Sequence, residues 1–235
     1  MRRWNLALGV VLVATVTGGG QGAASTATPR LLRSLYTHKR EVALTFDDGP
    51  SPYTPQVLAT LRRFHVHATF FLIGEQVKAY PQYVKAEAAD RDELGNHTYS
   101  HPDMAQLNGA AQRWQLTETN ALIRHASGIR PHWWRPPYGA VNPSLLRLAA
   151  GLSLHTITWS VDPQDWALPG TAAIVQRVLS AVKPGSVILL HDGGGNRAET
   201  VAALPRILRG LHRLRYRPVR LGHLFFPRAR TRRRT

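Results

Sequence analysis

Five times along this chain of 235 residues, an apolar, β-prone run breaks off at a small cluster of acids, histidine or arginine. Strands are expected at Val42–Phe46, Ala68–Ile73, Leu94–Thr98, Trp133–Arg135, Leu154–Ser160, Val187–His191 and Pro218–Leu221. Between them the apolar spacing becomes helical. Val57, Leu58, Leu61 and Phe64 form one stripe on a helix from Pro55 to Phe64, and Ile207, Leu208, Leu211 and Leu214 repeat it near the C-terminus. Thr54, Asn108, Asn142 and Thr171 stand where helix N-caps are wanted, Thr54 and Asn142 directly before proline. Strands alternating with helices argue for βα units and a parallel sheet. About two hundred residues suffice for a single core, and no internal repeat is visible. In α/β barrels the chemistry gathers where strands end, so the five polar clusters are the candidate site.

The first cluster is Thr45-Phe46-Asp47-Asp48-Gly49-Pro50. In a regular strand Asp47 and Asp48 would point to opposite faces, so both enter one pocket only if the backbone bends there. Adjacent carboxylates can then divide labour, one binding metal and the other serving as a base. The second is His97-Thr98-Tyr99-Ser100-His101-Pro102, whose two imidazoles can hold one metal ion. Pro102 disfavours a helix at His101 and favours a strand end or loop. Trp133-Trp134-Arg135-Pro136-Pro137-Tyr138-Gly139 sets a guanidinium beside a proline-fixed turn. Asp162-Pro163-Gln164-Asp165-Trp166 follows another β-like run, and Val187 to Leu190 delivers His191 at a strand end. Taken alone, each has a structural reading as a turn, a loop rim or a core histidine.

Together and in this order, the five motifs resemble those of the polysaccharide deacetylases, the NodB-homology carbohydrate esterases. The resemblance spans about residues 38 to 225, and no catalytic motif position is altered. It implies an α/β fold, a distorted and incomplete (β/α) barrel of about seven parallel strands. Asp48, His97 and His101 would bind a divalent cation, zinc first, with cobalt, manganese, nickel or iron as alternatives. Asp47 would be the general base, paired with Arg135, and the backbone N–H of Tyr138 would help hold the oxyanion. His191 would be the general acid, with Asp165 hydrogen-bonded to it; Asp162 is read as a loop residue or an acid without a firm role. Trp166 and Leu189 would form apolar walls for the acetyl methyl, with Pro137 and Tyr138 beside them. Trp133, Trp134 and Trp159 are candidates for stacking on sugar rings, with core packing expected of at least one. Gly193-Gly194-Gly195-Asn196 lacks the lysine and hydroxyl of a phosphate loop and reads as a flexible rim.

Residues 1–27 read as a signal peptide, with Arg2 and Arg3 before an apolar stretch from Leu6 to Val16 and small residues after it; a retained anchor is the alternative. An exported protein is therefore expected, secreted or associated with the cell wall or membrane. There is no cysteine, which excludes disulfides and thiolate metal sites. The formal charge of +16 is carried mostly by arginine, including a basic tail over 226–235. Such a balance fits an anionic cell-wall polymer or membrane surface, and the leader argues against nucleic acid. The expected substrate is an acetylated glycan, peptidoglycan or chitin-like oligosaccharides, acted on by a monomer, with acetylxylan as the alternative. Two rivals come from other classes. A mononuclear iron oxygenase also uses two histidines and a carboxylate, but it gives Asp47, Arg135 and His191 no roles. A silent glycan-binding protein would not need acid, base and ligands together.

Overall fold

The computed structural model describes residues 30–226, so the leader and nearly all of the basic tail lie outside the described residues. In chain order the elements are β1 (Leu31–Leu32), β2 (Glu41–Gly49), α1 (Thr54–Phe64), β3 (Thr69–Leu72), α2 (Gly74–Ala79), α3 (Pro81–Ala89), β4 (Glu93–Asn96) and α4 (Gly109–Ser127). They continue with β5 (Trp133–Trp134), α5 (Pro143–Gly151), β6 (His155–Ile157), α6 (Thr171–Ala181), β7 (Val187–His191), α7 (Ala198–Arg213), β8 (Arg217–Val219) and α8 (Leu221–Phe225). The sheet has eight strands in the order β1-β6-β5-β4-β3-β2-β7, with β8 also on β2, and every pairing is parallel. Between β6 and β7 there is no ladder, only the isolated bridge Val161–Ile188. The barrel is thus incomplete, as the resemblance implies.

All seven expected strands form. Leu31–Leu32 adds an eighth upstream of residue 38, on the free edge of β6. Strand alternation divides the core. Val42, Leu44 and Phe46 of β2 point outward with Phe70, Leu72, Ile188 and Leu190, and are covered by α1, α6 and α7. Ala43 of β2 packs inside the barrel with Phe71, Trp133 and Val187. By the same period Thr45 and Asp47 also face inward, so the inner face turns polar toward its C-terminal end. No described helix is long and apolar enough to cross a membrane.

Three local expectations are corrected. Asn108 and Asn142 cap their helices through their side chains, accepting from the N–H of Ala111 and Leu145. Thr54 and Thr171 do not: each is the first residue of its helix, behind Tyr53 and Gly170. The Thr54 hydroxyl instead donates to Asp192. Leu214 falls beyond the end of α7 and is 41% exposed, so the apolar stripe there ends at Leu211.

Candidate active site

The polar strand ends converge at the C-terminal rim of the barrel. Asp48 has a left-handed backbone (φ 70°), and the pairing of β2 with β3 shifts register between Asp47 and Gly49. This bulge lets consecutive carboxylates face one pocket. His97 follows β4 directly, its N–H donating to Leu72 O. The loop to His101 is held from both sides: Asn96 accepts from Thr98 N at 2.7 Å, and Gln115 of α4 accepts from Tyr99 N at 2.6 Å and Ser100 N at 3.1 Å.

Ligand-type atoms of Asp48, His97 and His101 lie within 4.8 Å of one another. His97 donates from Nδ1 to Arg135 O at 2.8 Å, which leaves its Nε2 free to ligate. Asp48 Oδ1 sits 3.4 Å from Nε2 of both histidines, yet it is buried without a hydrogen-bond partner. A buried unpaired carboxylate oxygen facing two imidazole nitrogens is a donor set that could hold a divalent cation. Burial disfavours the Asp48 charge, but His97, His191 and His101 hold its carboxyl well below the usual range. Burial and the neighbouring His97 lower the pKa of His101, which favours the neutral, ligating form. His97 is fully enclosed, which opposes its charging, and the carboxylates of Asp47 and Asp48 raise its pKa in spite of that.

On one flank, Arg135 is wholly buried and donates to Asp47 Oδ1 at 2.7 Å, Thr45 Oγ1 at 2.9 Å and Thr158 O at 3.1 Å. Its guanidinium lies over the Phe71 ring at 4.2 Å. Burial lowers the Arg135 pKa, against the pull of Asp47. On the other flank His191 donates from Nδ1 to Asp165 Oδ1 at 2.7 Å. Asp165 Oδ2 accepts from His191 N at 2.8 Å and Thr200 Oγ1 at 2.7 Å. Burial opposes a charge on His191, but the hydrogen bond and charge of Asp165 outweigh it and raise the pKa.

A profile of the polysaccharide deacetylase family matches residues 34–157. The chain belongs to that family. Over 185 residues it is 43% identical to a chitooligosaccharide deacetylase of Sinorhizobium fredii, covering 73% of this chain and 85% of that protein. It is 40% identical over 190 residues to a peptidoglycan-N-acetylglucosamine deacetylase of Bacillus cereus, covering 80% and 69%. A crystal structure of a peptidoglycan N-acetylglucosamine deacetylase bound to 4-naphthalen-1-yl-N-oxidanyl-benzamide superposes with a TM-score of 0.81 at 38% identity, covering 83% of this chain and 92% of that one.

In this polysaccharide deacetylase the expected site residues do not all lie at the surface. Tyr138, left-handed at φ 58° and 70% exposed, lays its ring edge-on to His101 at 4.9 Å. Trp166 is 53% exposed, whereas Leu189 and Pro137 are buried. Trp133 and Trp134 are fully buried, Trp133 inside the barrel and Trp134 under α4 and α5, so neither can stack on a sugar. Trp159 is half-buried against the inner core. Asp162 serves its loop, accepting from Gln164 N at 2.8 Å.

The glycine rim is not loose. Arg197, itself buried, donates to the carbonyls of Gly193 at 2.6 Å, Gly194 at 2.8 Å and Asn196 at 3.2 Å. This clamp, Thr45 under Arg135 and Thr200 under Asp165 escape a reading of the sequence. A buried arginine looks like any other in an arginine-rich chain, and Thr200 joins Asp165 only in space. Asp192 is buried behind Asp48, and burial pushes its carboxyl up to about 7.

Proposed function

We propose that this chain hydrolyses the acetamido group of N-acetylglucosamine units in a glycan, peptidoglycan or chitin-like. The observation that carries the reading is the unpaired Asp48 Oδ1 between two imidazoles, flanked on one side by Asp47–Arg135 and on the other by His191–Asp165. Asp48, His97 and His101 would hold a divalent cation, zinc in the first instance. When bound, it would acidify a water near neutral pH and polarise the acetyl carbonyl.

The chain's own groups supply the rest. Asp47, held by a hydrogen bond from the buried Arg135 guanidinium, accepts the proton of the attacking water. The Tyr138 N–H, on a residue with a left-handed backbone, would donate to the developing oxyanion. His191 keeps Nδ1 on Asp165, so Nε2 carries the proton given to the departing nitrogen. An amine leaves only when protonated, so this acid matters most for amide substrates. Trp166 and Tyr138, exposed beside the site, take the sugar-facing role expected of the buried tryptophans. Two relatives are named for N-acetylglucosamine or chitooligosaccharide deacetylation, which supports the same substrate class. The N-oxidanyl-benzamide bound by a third is a hydroxamic acid, a two-oxygen chelator, which supports a metal here. The charged, apolar and small-residue regions of 1–27 support export to the cell wall, where such glycans occur.

Acetate release from N-acetylglucosamine oligomers, peptidoglycan and acetylxylan, measured on metal-stripped protein with and without zinc or cobalt, tests this reading. Metal-dependent release from the amides is expected. Full activity after stripping, or release from acetylxylan alone, would overturn it.

A further inference from the structure

At the opposite pole of the barrel lies a groove of about 1300 Å³ between the C-terminal ends of α1 and α7 and strand β8. Its walls carry Arg63, Arg209, Arg213, Arg215, Arg217 and Arg220 together with four histidines, and no acidic residue. Strand β8 pairs with Glu41–Ala43 at the start of β2, whereas the catalytic acids end that strand. At about 3.3 Å per residue the two sites are on the order of 20 Å apart. An occupant of the groove would leave the active site open.

Two helix C-termini meet here, and basic residues near a helix C-terminus offset the macrodipole. That accounts for one or two of them, not for the whole set. Arg217 is paired with Glu41, and Arg220 donates to Arg91 O. Among the described residues Arg63, Arg209, Arg213 and Arg215 have no carboxylate within 4.0 Å. Exposed like charges gathered in one concave surface repel one another and focus the field on an anion.

We infer that this groove binds a linear polyanion whose charges are phosphate groups repeated along its chain. Guanidinium forks match phosphate oxygens two at a time. Bases are not what the surface reads. The two benzene rings in the groove, Phe64 and Tyr216, are covered by guanidinium groups, Arg63 at 5.3 Å and Arg40 at 4.4 Å, so neither is bare for stacking. Bound there, the polymer would anchor the enzyme with its catalytic rim facing away.

The test uses the full-length protein and long-chain inorganic polyphosphate as probe, with polyglutamate, single-stranded DNA and phosphatidylglycerol vesicles in parallel. The variant Arg209→Glu, Arg213→Glu, Arg215→Glu should weaken polyphosphate binding by on the order of tenfold or more and flatten its salt dependence. The control Arg113→Glu, Arg124→Glu, Arg147→Glu makes the same change in net charge on α4 and α5 and should retain affinity. Thermal unfolding and acetate release from a short soluble substrate should be alike in both. Equal losses would mean that net charge alone binds, and no loss in either would assign binding to the arginine tail. Either result overturns the proposal, as does tighter binding to DNA, polyglutamate or vesicles than to polyphosphate.

Discussion

At the scale of single residues, the two adjacent acids are separable by what each touches. Asp47→Asn removes the proton acceptor but no atom of the proposed ligand set. Turnover should fall by about 10²–10⁴-fold while metal still binds. Asp48→Asn removes a ligand and should weaken zinc affinity itself, read by calorimetry on stripped protein. The reverse pattern would exchange the two roles. A second residue pair gives a pH signature. Asp165 raises the His191 pKa against the effect of burial. A general acid must be protonated to act, so a raised pKa extends activity toward alkaline pH. In Asp165→Asn the alkaline limb of kcat/KM should move to lower pH. Hydrolysis of an activated aryl acetate, whose leaving group needs no proton, should change far less. An unmoved limb would remove Asp165 from this role.

Among the elements, the glycine rim beside His191 bears directly on the proposed metal site. Gly194 has φ 72°, and a methyl there would collide with Asp48 Oδ2. Gly128, which caps α4 at φ 75°, has open space around it. Alanine at either position should cost about 1–2 kcal/mol of backbone strain. Only Gly194→Ala should also lower metal affinity, by about 10–100-fold, the range seen when a ligand's supporting contacts are lost. Equal metal binding in the two variants would show that the rim does not set Asp48. The strands and the five clusters were legible because apolar runs ending in acids or histidines have few other readings. What failed was decided by distant partners. Thr54 looks like a cap but donates across the fold to Asp192. Trp133 and Trp134 look like a binding platform, yet a two-residue strand in mid-sheet is covered on both faces. Leu31–Leu32 is too short to announce itself as a strand.

For the whole molecule, one buried group works against the fold. Both carboxylate oxygens of Glu87 on α3 are enclosed without partners. Burial, then Asp192 and Asp92, push its pKa well above the ordinary value. An acid whose folded-state pKa is raised favours folding at low pH and loses that contribution as pH rises from the unfolded value through the folded one. Glu87→Gln removes the titration with little change of shape. Its melting temperature should match the parent near pH 4.5 and exceed it by a few degrees at pH 8. A difference that does not grow with pH would contradict this.

Strand β2 is hydrogen-bonded to β3, β7 and β8 at once, and Asp47 and Asp48 of the proposed site lie at its end. Its amides should therefore exchange with deuterium only through global unfolding, the slowest route open to the chain. The surrounding loops can breathe without disturbing Asp47 and Asp48. Access of substrate and the persistence of Asp47 and Asp48 are thereby governed by different parts of the molecule. Lengthening or exchanging the rim loops should change what enters while the rate of deuterium uptake at Thr45, Phe46 and Asp47 stays that of the whole domain.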